Sequence, residues 1–98
     1  MMFTGKWNVV TKTPMGEITS VWDARVDGED LTGLLIDNDG DAEMRNGKFV
    51  GDTFDFDATI KLPFGEIEFH FSGKVSGDSF EGHSKMAMGQ SEVRGTRA

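Results

Sequence analysis

The chain has no cysteine and no tyrosine, only two prolines in 98 residues, and no long apolar run. Each gap excludes something. Without cysteine there are neither disulfides nor thiolate metal sites. No stretch is long and apolar enough to span a membrane, and Met1-Met2-Phe3-Thr4-Gly5-Lys6-Trp7 is not apolar enough for a signal peptide. A cytoplasmic protein that does not enter membranes is therefore expected. Positive charge is scarce as well. Ten Lys and Arg stand against 17 Asp and Glu, giving a net charge of −7. Phosphate backbones call for a basic face, so no nucleic-acid partner is expected. No nucleophile elbow, phosphate loop or dinucleotide fingerprint occurs, and no cofactor is implied.

What is present is glycine, 13 residues of it, and an apolar set of 23 Phe, Val, Leu and Ile residues. That is enough for one domain over residues 1–98 with a core of modest size. There is no linker and no low-complexity segment. The chain also repeats itself at an offset of 49. Pro14-Met15-Gly16-Glu17-Ile18 returns as Pro63-Phe64-Gly65-Glu66-Ile67, and Gly28, Gly33 and Gly40 return as Gly77, Gly82 and Gly89. Residues 2–49 align with 51–98 without a gap, with 12 identities and conservative pairs such as Trp7/Phe56, Trp22/Phe71 and Lys48/Arg97. A repeat of this length means two copies of one supersecondary unit. What the copies share is architecture. Where they differ, a specific job has room.

Turn signals recur about every 12 residues, and the segments between them alternate apolar and polar side chains with period two. Phe54, Phe56, Ala58 and Ile60 take the even positions of one segment; Ile67, Phe69 and Phe71 take the odd positions of the next. No segment has a helical period. Short turns make successive strands antiparallel neighbours. Eight strands with one apolar face and no covering helix predict an all-β fold: an eight-stranded antiparallel up-and-down meander barrel with an internal twofold repeat. The inward set includes Trp7, Thr11, Ser20, Trp22, Leu35, Asp37, Met44 and Asn46 in the first half. In the second it includes Phe56, Ile60, Phe69, Phe71, Ser84, Met86 and Ser91. Gly33 and Gly82 are expected to let strands bend.

Gly5-Lys6-Trp7 resembles the Gly-x-Trp opening of lipocalins and avidins, and Leu31-Thr32-Gly33 is similar to a segment of avidins. The whole-chain pattern resembles the small lipocalin-like proteins of the allene-oxide-cyclase barrel type and, more remotely, spirotetronate cyclases. The resemblance implies a barrel and, for the cyclases, a lumen that folds a hydrophobic substrate. The later strands lack the tryptophans that match avidin's biotin contacts, so no avidin site residue is carried over. The helix of lipocalins is absent as well.

Turn lengths predict register. A Gly28-Glu29 turn sets Trp22 opposite Leu35 and Ser20 opposite Asp37; a Met15-Gly16 turn sets Thr11 beside Ser20. Thr11, Ser20 and Asp37 would then form one polar row inside the barrel, where the second half has Ile60, Phe69 and Met86. A concave apolar site with a few convergent polar groups is the usual form of a small-molecule pocket. The expected partner is a small hydrophobic molecule held by Trp7, Thr11, Ser20, Trp22, Leu35, Asp37, Phe69 and Met86. Alternatively, Asp37 moves a proton in an isomerase or cyclase, or the lumen is filled and the domain is structural. Asp37 itself reads either as a ligand-facing carboxylate or as the wet first residue of the Asp37-Asn38-Asp39-Gly40 turn. That acidic run lacks the spacing of a calcium loop. His70 and His83 fall as diagonal neighbours on the outer face, without an obvious third ligand, and no metal is expected. Val10, Val21, Leu34 and Ile36 also point outward, where the second half has Thr59, His70, His83 and Lys85. Such a patch suggests a homo-oligomer contact.

Overall fold

The computed structural model describes residues 3–14, 16–37, 40–62, 64–87 and 89–98, with Leu62 described by its backbone alone. The strands are β1 (Gly5–Thr13), β2 (Gly16–Asp27), β3 (Asp30–Asp37), β4 (Gly40–Glu43), β5 (Arg45–Val50), β6 (Thr53–Leu62), β7 (Gly65–Ser76), β8 (Ser79–Met86) and β9 (Gly89–Arg97). β4 and β5 are the two arms of one barrel strand, both antiparallel to β3, so the barrel has eight. The meander closes through β1 with β9 and β5 with β6; among the described residues β4 is paired with β3 alone, and no ladder joins it to β6. There is no helix among the described residues, and none long and apolar enough to cross a membrane.

Period two decides which side chains go inward. In β6 Phe54, Phe56, Ala58 and Ile60 are buried, whereas Asp55 is exposed. The repeat is equally direct. β2 and β3, moved by 49 residues, become β7 and β8 at both ends. Trp22 opposite Leu35 returns as Phe71 opposite Ser84, and Thr11 opposite Ile18 as Ile60 opposite Ile67.

The Thr11 pairing corrects the expected register. The β1–β2 ladder runs as far as Thr13 opposite Gly16, so Thr11 faces Ile18 and Ser20 faces Val9. The cause is local. Gly16 (φ 116°) joins the ladder opposite Thr13, and the Thr13 hydroxyl donates to the Gly16 carbonyl over 2.7 Å. Gly16 therefore leaves the loop; Met15 lies outside the described residues. A slide of two residues leaves every face unchanged.

A second correction lies where β4 meets β5. Leu34 pairs with Glu43, but Leu31 pairs with Gly47, so this strand carries one residue more than its partner. Against β6 the register shifts likewise between Arg45 and Lys48. The bulge places Asn46 at φ 54°, a region Asn tolerates, and turns it outward, where its amide donates to Asp57 over 3.1 Å. Asn46 is thus exposed, and Phe49 is buried beyond it. Phe49 N–H donates to the Glu29 carbonyl as Arg97 N–H donates to that of Asp78, which makes Phe49 the spatial counterpart of Arg97. The gapless alignment ends at the bulge. The pairing of Lys48 with Arg97 does not survive in space.

The two seams between the halves differ too. Arg45 pairs with Asp57, whose repeat equivalents are Arg94 and Asn8, but Arg94 pairs with Val10. This even slide also preserves inside and outside.

Aromatic rings fill most of the lumen. At the end carrying the N-terminal segment, Phe3 stacks on Phe54 at 4.7 Å and on Phe49 at 5.6 Å, and Trp7 meets Phe80 edge-on at 5.3 Å. Arg97 lies over the Trp7 ring at 4.3 Å and donates to the Thr4 carbonyl. Trp7 Nε1–H donates to the Phe3 carbonyl. Glycine makes this packing possible, since a Cβ on Gly95 would collide with the Phe80 ring and one on Gly73 with the Phe54 ring. A Cβ on Gly82 would collide with the Ser72 carbonyl of the neighbouring strand.

Candidate functional site

The opposite end is the open one. There the strands turn between Thr13 and Gly16, Asp37 and Gly40, Leu62 and Gly65, and Met86 and Gly89. A cup opens into the lumen at this end. Thr11, Ser20 and Asp37 form one side of it. Ile60, Phe69 and Phe71 form another, with Trp22, Leu35 and Ala42 also lining it. Thr11, Leu35, Ile60 and Phe69 are buried, whereas Ser20 and Asp37 are half-buried. Asp41 and Lys61 bring charge to the mouth. The free volume is about 20 Å³, room for one or two water molecules.

Six of the residues singled out from the sequence therefore meet here: Thr11, Ser20, Trp22, Leu35, Asp37 and Phe69. The polar trio converges without forming a single row, because Thr11 and Ser20 sit in different rungs of the β1–β2 ladder. Two expected members lie elsewhere. Trp7 is wholly buried at the closed end under Arg97, and Met86 is half-buried at the end of β8 without lining the cup. Sequence reasoning left Ile18, Gly40, Asp41, Ala42, Ile60, Lys61 and Phe71 out of the site. Ile18 was hidden by the two-residue error in register. Ala42 carried a usable signal, since it is inward and one step from Gly40. Asn38 and Asp39 of the acidic turn lie outside the described residues.

The levels of the lumen differ in polarity between the halves. Across β2, β3 and β4 runs the row Trp22, Leu35, Ala42; its repeat across β7, β8 and β9 is Phe71, Ser84, Ser91. Ser84 and Ser91 are 0% and 6% exposed. Their hydroxyls and the Trp22 indole N–H are the buried side-chain polar atoms with no hydrogen-bond partner in the protein, among the described residues. By contrast, the Trp7 indole is satisfied.

Outside, a polar network spans the bulge. His70 Nδ1 lies 2.6 Å from Asp57, and Arg45 donates to Glu68 over 2.6 Å and to Thr59 over 3.1 Å. Hydrogen bonds from His70 and then Asn46 hold the Asp57 carboxyl below its ordinary value. The Thr59 hydroxyl, then Arg45, do the same for Glu68. These groups fasten β5 to β6 and β7, and exposed pairs of this sort contribute modestly. His83 faces Ser72 and Glu92 instead, and no metal-ligating group of three is found among the described residues. Of the outward patch only Leu34 is exposed, at 38%; Val10, Val21 and Ile36 are half-buried.

No family model matches the chain, and no curated protein matches it by sequence. Solved structures do resemble it. A redesigned β-barrel, mFAP1, bound to DFHBI, is 16% identical with a TM-score of 0.67, over 99% of this chain and 95% of that one. A second redesigned β-barrel, b11L5F_LGL, is 18% identical with the same TM-score, over 99% of this chain and 92% of that one. At such identities the likeness establishes the closed eight-stranded barrel and nothing further.

Proposed function

We propose that the protein binds a small, mainly apolar molecule at the open end of the lumen, against Trp22, Leu35, Phe69 and Phe71. The observation that carries this is the uneven wall of the cup. Thr11, Ser20 and Asp37 stand where the same frame, in its second copy, accepts Ile60, Phe69 and Met86. Packing does not require a polar wall where an apolar one fits, and a few polar groups set against apolar walls are what a small-molecule site uses to orient its ligand. The mFAP1 barrel, bound to DFHBI, offers a parallel for a small molecule on this fold. Ligand pockets usually enclose a few hundred Å³, so the ligand enters by displacing side chains at the mouth.

The free volume of about 20 Å³ favours a second reading, a structural domain with a filled core. Rebuilding the cup decides between them. The triple variant Thr11→Ile, Ser20→Phe, Asp37→Met copies the second half into the first. Small aromatic ligands titrated against Trp22 emission should respond with the native protein and not with this variant. A native protein that binds none of them supports the filled core.

A further inference from the structure

Ser84 and Ser91 face each other directly across β8 and β9. Each stands two residues from the Met86–Gly89 turn, as Leu35 and Ala42 stand two residues from the Asp37–Gly40 turn. The repeat thus gives the serine pair, in the second half, the places that Leu35 and Ala42 hold in the first; Leu35 and Ala42 line the cup, and the serines are not among its lining residues. Phe71, which lines the cup, is the cross-strand neighbour of Ser84 and packs edge-on against Trp22 at 5.2 Å. Two of the three unpartnered buried polar groups among the described residues are therefore paired across one rung, and the third, the Trp22 indole N–H, belongs to a residue that lines the cup. The indole can only donate, and both hydroxyls are able to.

We infer that these groups are the polar anchor of the ligand site, and that its ligand is a neutral apolar compound carrying a carbonyl oxygen, received by Ser84 and Ser91 with the Trp22 N–H. The inference rests on the binding function proposed above. An acceptor matches three donors. Neutrality follows from the mouth, where Asp37 and Asp41 outnumber Lys61, and from the net charge of −7, both of which repel carboxylates and phenolates. The first half supplies the contrast: Leu35 and Ala42 show that the frame takes apolar side chains at these positions. A buried hydroxyl without a partner is a liability that an apolar replacement removes.

Acetophenone and its hydrocarbon isostere α-methylstyrene test this, titrated by NMR into the native protein and into Ser84→Ala, Ser91→Ala and the double variant. The double variant should bind acetophenone about five- to tenfold more weakly while α-methylstyrene changes less than twofold, as expected for one or two lost hydrogen bonds. Without ligand, both single variants should be at least as stable as the native protein. Equal effects on the two probes, or none on either, would overturn the anchor and leave the binding function standing. Failure of the native protein to bind either probe would overturn both. Serine variants less stable than the native protein would show that the hydroxyls serve the fold, and would also overturn the anchor.

Discussion

The two halves of the barrel share a frame and divide its chemistry unequally. In the first half the rim is polar, with Thr11, Ser20 and Asp37, and the level beneath it is apolar, with Leu35 and Ala42. In the second half the rim is apolar, with Ile60 and Phe69, and buried serines take the places of Leu35 and Ala42. At the closed end the exchange is between Phe49 and Arg97, one stacking on Phe3 and the other capping Trp7. Duplication fixes backbone, turns and glycines, and leaves inward side chains free to diverge wherever volume is conserved. The divergences mark where a closed, aromatic-filled barrel departs from what packing alone requires.

The sharpest way to break the comparison is by deletion in the fourth strand of each half. Removing Gly95 from β9 would turn Arg97 outward and Thr96 inward, because faces alternate without a bulge to absorb the change. It should cost about 3–5 kcal/mol or prevent folding, the range for losing a large buried contact. Removing Asn46 instead straightens the bulge and keeps Met44, Gly47 and Phe49 inward, so the protein should fold with a loss of about 1 kcal/mol, the value of a hydrogen bond. Urea midpoints compare the two. Equal losses would mean that the bulge is not what separates the halves.

Gly82→Ala comes next. Its Cβ meets a strand carbonyl that has little room to retreat, and a loss of about 2–3 kcal/mol is expected by the same measurement. A neutral result would remove the close approach of the Ser72 carbonyl to Gly82 from the account.

The smallest effect is electrostatic and belongs to the first-half bulge. Asp57 has its folded pKa lowered, first by His70 and then by Asn46, so its contribution is present above the unfolded value and is lost as pH falls through the folded one. Asp57→Asn should therefore destabilise by less than about 1 kcal/mol at pH 7, and the gap should close below the ordinary carboxyl value of 3.8. Denaturation across that range checks the sign. A gap that widens toward acid would contradict it.

The barrel was legible because period two, glycine-marked turns and the 49-residue repeat all act through backbone and burial, which local sequence reports. The site was legible in part. Inward positions such as Thr11, Ser20 and Asp37 follow from alternation alone, and an error of two residues in register leaves them inward. Which of them meet depends on the strand slide, and Gly16 hid that by joining the ladder instead of the loop. Asn46 was misplaced for a related reason. A bulge needs only one residue at positive φ, and its neighbours Gly47 and Phe49 look the same in sequence with or without it. Trp7 and Met86 were misassigned to the cup because strand tilt separates inward residues along the axis. Alternation carries no information about depth.

The most direct test uses the two tryptophans, one in each environment. Trp22 lines the cup with its indole N–H unpartnered; Trp7, its cross-strand partner, is buried outside the cup under Arg97 with its own N–H donated to Phe3. In a ¹⁵N-edited NMR spectrum titrated with a small apolar ketone, the Trp22 indole signal should move while that of Trp7 stays in place. Movement of Trp7 without Trp22, or of neither while the ligand binds, would contradict a binding site at the open end of the lumen.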